Sequence, residues 1–106
     1  MIETRQAVEN IDEILDVPGI EVIYVGRADL AFSLGKAPKL EMYEVVLAAC
    51  RKRGIYPGIR CTESAYAARM IRTGLRLTTI ANDSGLMAKA AREAVAGVWR
   101  EVGEFR

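Results

Sequence analysis

Short apolar, β-branched runs alternate with longer segments of helical period along the whole of this 106-residue chain, and that order constrains the fold more than any other feature. Strand-then-helix repetition leaves no tight hairpins, so the strands run parallel and the helices form right-handed crossovers over the sheet. The first run is Met1-Ile2-Glu3. Ala7, Val8, Ile11, Ile14 and Leu15 then recur at helical spacing, from Thr4, which can cap the start, to Val17-Pro18-Gly19, which stops it. Ile20 to Val25, closed by Gly26, has the nearly continuous apolar character of a strand covered on both faces. A loop with Gly35 and Pro38 leads to a second helix, with Leu40, Tyr43, Val46, Leu47 and Cys50 facing inward. Arg51-Lys52-Arg53 and Gly54 end it, with cations at the negative end of the helix dipole. Ile55 to Cys61 reads as a strand weakened by Pro57-Gly58. Thr62 or Ser64 starts a helix through Ala67, Ala68 and Ile71 that stops at Gly74. Leu75 to Ala81 is the last strand, and Asp83 or Ser84 caps a long final helix through Leu86, Met87, Ala90, Ala91, Ala94, Val95, Val98 and Val102.

Residues 1–106 are expected to form one domain of parallel βα repeats, because no linker or low-complexity stretch interrupts them. A closed (β/α)8 barrel takes roughly 250 residues, so four such units make half of one. The opening strand is short beside the usual length of about 5–6 residues, and the chain reads as cut at its amino end. Half a barrel exposes sheet edges and an apolar inner face. A homo-oligomer, or a partner supplying the other half-barrel, is therefore expected. Ile23, Val25, Ile59 and Ile80 are candidates for that inner face, and Val95, Trp99 and Val102 for a docking face on the last helix.

Fifteen Lys and Arg against 14 Asp and Glu, with no block of like charge, give no electrostatic footprint for nucleic acid or an acidic membrane surface. A charged amino terminus and the lack of any long apolar run exclude a signal peptide and a membrane span as readings of these residues. Cys50, in a helical pattern, and Cys61, at a strand end, read as small buried hydrophobes, which fits a reducing, cytoplasmic compartment.

The chain has no histidine, which removes imidazole-based triads, the usual zinc sets and the commonest general base. Two carboxylates remain of interest. Glu3 and Asp29 each stand where an apolar run ends, which puts both on the rim formed by the carboxyl ends of parallel strands, where ligands gather in α/β folds. All-oxygen donors suit Mg2+ or Mn2+. A cation there could take a 2-oxo acid through its keto and carboxylate oxygens. On composition and spacing alone, a helix cap or dipole partner is the commoner role of residues so placed. Arg60, at a strand end, could hold a substrate carboxylate or form a surface ion pair. Leu34-Gly35-Lys36-Ala37 lacks the first glycine and the hydroxyl of a phosphate loop, and Gly26-Arg27-Ala28 lacks a dinucleotide glycine series.

Ile2-Glu3-Thr4-Arg5, Ile14-Leu15-Asp16-Val17-Pro18-Gly19, Gly26-Arg27-Ala28-Asp29-Leu30, Pro57-Gly58-Ile59 and Asn82-Asp83-Ser84-Gly85-Leu86 occur in this order, and as a set they resemble the HpcH/HpaI aldolase family. The resemblance runs the length of the chain and covers the carboxyl-terminal half of the family's TIM barrel. It implies a metal-dependent, class II lyase that makes or breaks carbon–carbon bonds of 2-oxo acids with pyruvate as product, and a last helix exchanged between subunits. Glu3 and Asp29 correspond to the metal-ligand carboxylates. The peptide groups of Gly26, Arg27, Ala28 and Asp29 correspond to the stretch that receives the substrate carboxylate. The family's histidine base and enolate-stabilising arginine lie upstream of the matched half, so no catalytic residue is assigned here and the chain alone is expected to be inactive. Arg27 stands where the family usually has proline, Ala31 where it has serine, and Arg60 where an aliphatic residue lines the pocket. A non-catalytic binding or assembly module, or a degenerate remnant, is the alternative.

Overall fold

The computed structural model describes residues 1–103. Its centre is a parallel sheet in the order β1 (Val22–Val25), β2 (Tyr56–Cys61) and β3 (Leu77–Ile80). Val22 pairs with Tyr56 and Val25 with Ile59; Gly58 then pairs with Leu77 and Cys61 with Ile80. Ile2 adds a single parallel bridge to Val25, its N–H donating to the Tyr24 carbonyl while Gly26 N–H donates to the Ile2 carbonyl. The opening run thus lies beside β1 as a stub. It aligns Glu3 with Gly26 at the strand's carboxyl end.

Between these strands come α1 (Arg5–Glu9), α2 (Ile11–Leu15), α3 (Arg27–Leu34), α4 (Leu40–Arg53), α5 (Ser64–Thr73) and α6 (Asp83–Val102). Thr4 caps α1 through its hydroxyl, which accepts from Ala7 N–H. The expected first helix is two, because Asn10 leaves helical geometry (φ −95°, ψ 18°). Val8, Ile11 and Leu15 still share a buried face. The segment expected to be a loop after Gly26 contains α3, stopped by left-handed Gly35, whose following N–H, on Lys36, returns to the Ala31 carbonyl. Asn82 caps α6, its side chain accepting from Gly85 N–H.

Alternation along the strands sorts the sheet into two faces. Ile23, Val25, Pro57, Ile59 and Cys61 share the helix-covered face and are buried with Tyr43, Val46, Leu47 and Cys50 of α4 and Ala67 and Met70 of α5. Ile23, Val25 and Ile59 are therefore core residues and not barrel-interior residues. Ile80 belongs to the same face through its pairing with Cys61 but is half exposed, at the edge strand. The opposite face carries Val22, Tyr24, Tyr56, Gly58, Arg60, Leu77 and Thr79. This is the inner face of a half barrel. Here Tyr24 reaches across β2 to hydrogen-bond Thr79 on β3. Glycine at 58 leaves room for that crossing: a Cβ there would come to 3.1 Å from the Tyr24 ring and from Leu77, and those neighbours would have to give by a few tenths of an ångström.

Arg53 closes the other end of the α2–α4 contact, donating to Asp12 Oδ1 and Asp16 Oδ1, each at 2.7 Å. That guanidinium holds the Asp16 carboxyl below its ordinary range. In contrast, α6 has no buried residue. Leu86, Met87, Val95, Val98, Trp99 and Val102 are all exposed. The radius of gyration is 18.6 Å, against about 13 Å for a compact domain of this length. A 20-residue helix standing off the core accounts for the difference and for the 65 Å long axis.

Candidate functional site

The carboxyl end of β1 is where the expected site residues meet. Gly26 follows the strand, caps α3 with no side chain, and is buried. Glu3 lies across it: a Cβ built on Gly26 would sit 2.6 Å from Glu3 Cγ and 2.9 Å from Glu3 Oε1. Glycine here is a matter of space, since its φ of −81° suits any residue. Asp29 occupies the first turn of α3, where a carboxylate also favours the positive end of the helix dipole. Glu3 is half-buried and Asp29 exposed; Glu3 lies against Gly26 and Asp29 three residues further on, so both follow from the carboxyl end of β1.

Gly26 accepts from Leu30 N–H through its carbonyl, which leaves the first-turn N–H groups of Arg27, Ala28 and Asp29 outside the helix's own ladder. They point out of the helix start at the end that carries Asp29 and follows Gly26, against which Glu3 lies. Such a constellation offers cation-binding oxygens next to anion-binding N–H groups. Among the described residues no cluster of three or more His, Cys, Asp or Glu side chains forms. Two carboxylates with the remaining positions open to water and substrate is nonetheless the donor set Mg2+ commonly takes. The space over Gly26, which a Cβ would fill, keeps Glu3 at that rim. The residues present therefore fit a hard divalent cation.

Arg60 stands on the inner face of the sheet, one step beyond the Val25–Ile59 pairing and thus level with Gly26. It is exposed, and the ion pairs found among the described residues do not include it. The Arg27 side chain goes elsewhere. Its guanidinium carbon lies 4.6 Å from the centroid of the Tyr66 ring on α5, in a cleft of ≈ 440 Å3 between α3, the start of α4 and α5. Arg27 thus contributes its backbone to the rim and its charge to the helical layer. The sequence reading missed this cleft; its signal was Tyr66 and Arg69 at a spacing that shares one helix face.

Residues 1–97 match the family model described as HpcH/HpaI aldolase/citrate lyase. A hydroxypyruvate/pyruvate aldolase of Rhizorhabdus wittichii is 38% identical over 104 residues, covering 91% of this chain and 41% of its own length. A 4-hydroxy-2-oxo-heptane-1,7-dioate aldolase of Escherichia coli is 35% identical over 101 residues, covering 90% and 38%. The solved structure of an HpcH/HpaI aldolase/citrate lyase family protein from Burkholderia cenocepacia superposes with a TM-score of 0.83 at 31% identity, over 92% of this chain and 40% of that one. The chain spans about two fifths of the length of the curated relatives it matches.

Proposed function

Because the chain belongs to the HpcH/HpaI aldolase/citrate lyase family, we propose that it carries the metal-holding rim of a 2-oxo acid aldolase, with the imidazole base and the enolate-stabilising cation contributed by residues outside this sequence. The observation that carries this reading is the Glu3 side chain laid across Gly26, the residue that caps α3, with Asp29 in the first turn of that helix. Two relatives of 38% and 35% identity are named as aldolases of 2-oxo acids, which supports carbon–carbon bond cleavage or formation with pyruvate as product.

In this reading Glu3 and Asp29 hold Mg2+ or Mn2+. The cation supplies Lewis-acid polarisation of the keto group. The N–H groups of Arg27, Ala28 and Asp29 receive the substrate carboxylate and fix its orientation, and Arg60, level with Gly26 on the inner face, takes a second anionic group of an acidic substrate. No histidine is present to move the proton, a role worth about 10²–10⁴ in rate. The chain alone is therefore proposed to bind without turning over. The apolar side of α6 is the proposed contact between copies, and the inner sheet face the contact with the rest of a barrel. Among the described residues no helix is long and apolar enough to cross a membrane, and a cytoplasmic location is proposed with the rest.

The test is a chimaera in which residues 1–97 replace the matched segment of the Rhizorhabdus wittichii aldolase, assayed for Mn2+-dependent pyruvate release from a 4-hydroxy-2-oxo acid. Activity lost on Glu3→Gln or Asp29→Asn is expected. A folded chimaera that binds Mn2+ through these residues and releases no pyruvate would refute the aldolase reading.

A further inference from the structure

The cleft on the helical layer is chemically unlike the rim. Arg27 at the start of α3 and Arg69 on α5 both aim their guanidinium groups at one ring, 4.6 and 5.0 Å from the Tyr66 centroid. Stacking on a ring favours each guanidinium, but two like charges held this near each other lie within a Debye length of about 8–10 Å and repel. Among the described residues no carboxylate lines the cleft. Nor is either arginine in an ion pair among those found in the described residues. The fork donors of both guanidiniums are therefore available to an oxyanion.

Apart from these charges, the walls are of two kinds. Leu40 and Met70 present apolar surface, and Tyr43 and Tyr66 add hydroxyls. Burial, helped by the neighbouring Tyr66 hydroxyl, pushes Tyr43 well above the ordinary tyrosine range, so it adds no negative charge to the cleft. The volume of ≈ 440 Å3 falls within the range of about 300–1,000 Å3 typical of small-molecule sites.

We propose that the cleft between α3, α4 and α5 binds a small organic dianion, a phosphate monoester with a compact apolar body, through Arg27 and Arg69 across the Tyr66 ring. Two guanidiniums match a doubly charged oxyanion, and Leu40 and Met70 take the apolar group. This site lies on the opposite side of the sheet from Arg60 and needs no metal. It therefore stands or falls separately from the aldolase reading.

Titration of the full chain with phenyl phosphate in metal-free, low-salt buffer, followed by calorimetry, tests it. Saturable 1:1 binding is expected, weakened about tenfold or more by Arg69→Gln and less by Arg69→Lys, which keeps the charge but not the planar fork. Arg92→Gln, a charge-matched change on exposed α6, should leave the affinity unaltered, and inorganic phosphate should bind more weakly than the phenyl ester. Far-UV circular dichroism confirms that each variant is folded; should Arg69→Gln unfold, Arg69→Lys carries the comparison. Equal weakening by Arg92→Gln, or no saturation by about 10 mM, would overturn the proposal. So would an oligomer structure in which a carboxylate of another copy already bridges Arg27 and Arg69.

Discussion

Replacing Gly26 with alanine separates packing from metal binding at the candidate rim. The added Cβ would meet Glu3 Cγ at 2.6 Å and Cδ at 3.2 Å, whereas carbon pairs settle at about 3.5–4.0 Å. Glu3 must therefore withdraw by roughly 1 Å, and as the three nearest atoms all belong to its own half-buried side chain and none to backbone, rotation about the Glu3 side-chain torsions supplies the movement. The backbone itself does not resist, because φ is −81°. Loss of glycine's freedom in the unfolded chain favours the variant by about 0.4–1 kcal/mol, which offsets most of the crowding. Global stability should thus change by no more than about 1 kcal/mol in urea unfolding. Metal geometry is far less tolerant, since ligand distances hold to within about 0.2 Å. Displacing one of two carboxylates by the amount required should cost about 10- to 100-fold in Mn2+ affinity, the range seen when ligand support is removed. Electron paramagnetic resonance of free Mn2+, beside urea melts of both proteins, reads the two quantities independently. Unchanged Mn2+ affinity in a folded Gly26→Ala variant would refute the argument that Glu3 is placed over Gly26 for metal binding.

Two further outcomes follow from the packing. Removing residues 95–106 takes away Val95, Val98, Trp99 and Val102, all exposed, so sedimentation should show loss of assembly with the core's circular dichroism retained; a truncated chain that still assembles would contradict the role given to α6. The Asp16 carboxyl is held below its ordinary value of 3.8 by Arg53, so its contribution to stability is full above that value and is lost as pH falls through the lower folded value. Arg53→Gln should flatten this acid limb of the stability profile in urea melts between about pH 5 and 2, and an identical limb in both proteins would count against it.

The strand and helix order was legible because each element has both a periodic apolar pattern and a stop. Gly54 and Gly74 end α4 and α5 where the sequence places them. What the sequence hid was set by tertiary partners. The turn of α3 is short and weakly amphipathic, with Leu30 its buried residue, so its pattern did not stand out from a loop. Ile23, Val25, Ile59 and Ile80, candidates for the inner face, all belong to the helix-covered face; an apolar run on both faces carries no alternation to read. Only the register, with Tyr24 lying over Gly58 and Glu3 over Gly26, identifies which face looks inward. Glu3 and Asp29 were legible by position at strand ends. Arg27 was not, because nothing local shows that its side chain crosses to Tyr66 on another helix.

The most direct test of the rim as a metal site is calorimetric titration of Mn2+ into the wild-type chain, Glu3→Ala and Asp29→Ala, with and without oxalate as a stand-in for the pyruvate enolate. The account predicts binding by the wild type, strengthened by oxalate, and its loss in both variants. Binding that survives either substitution, or no heat in the wild type with oxalate present, would contradict it.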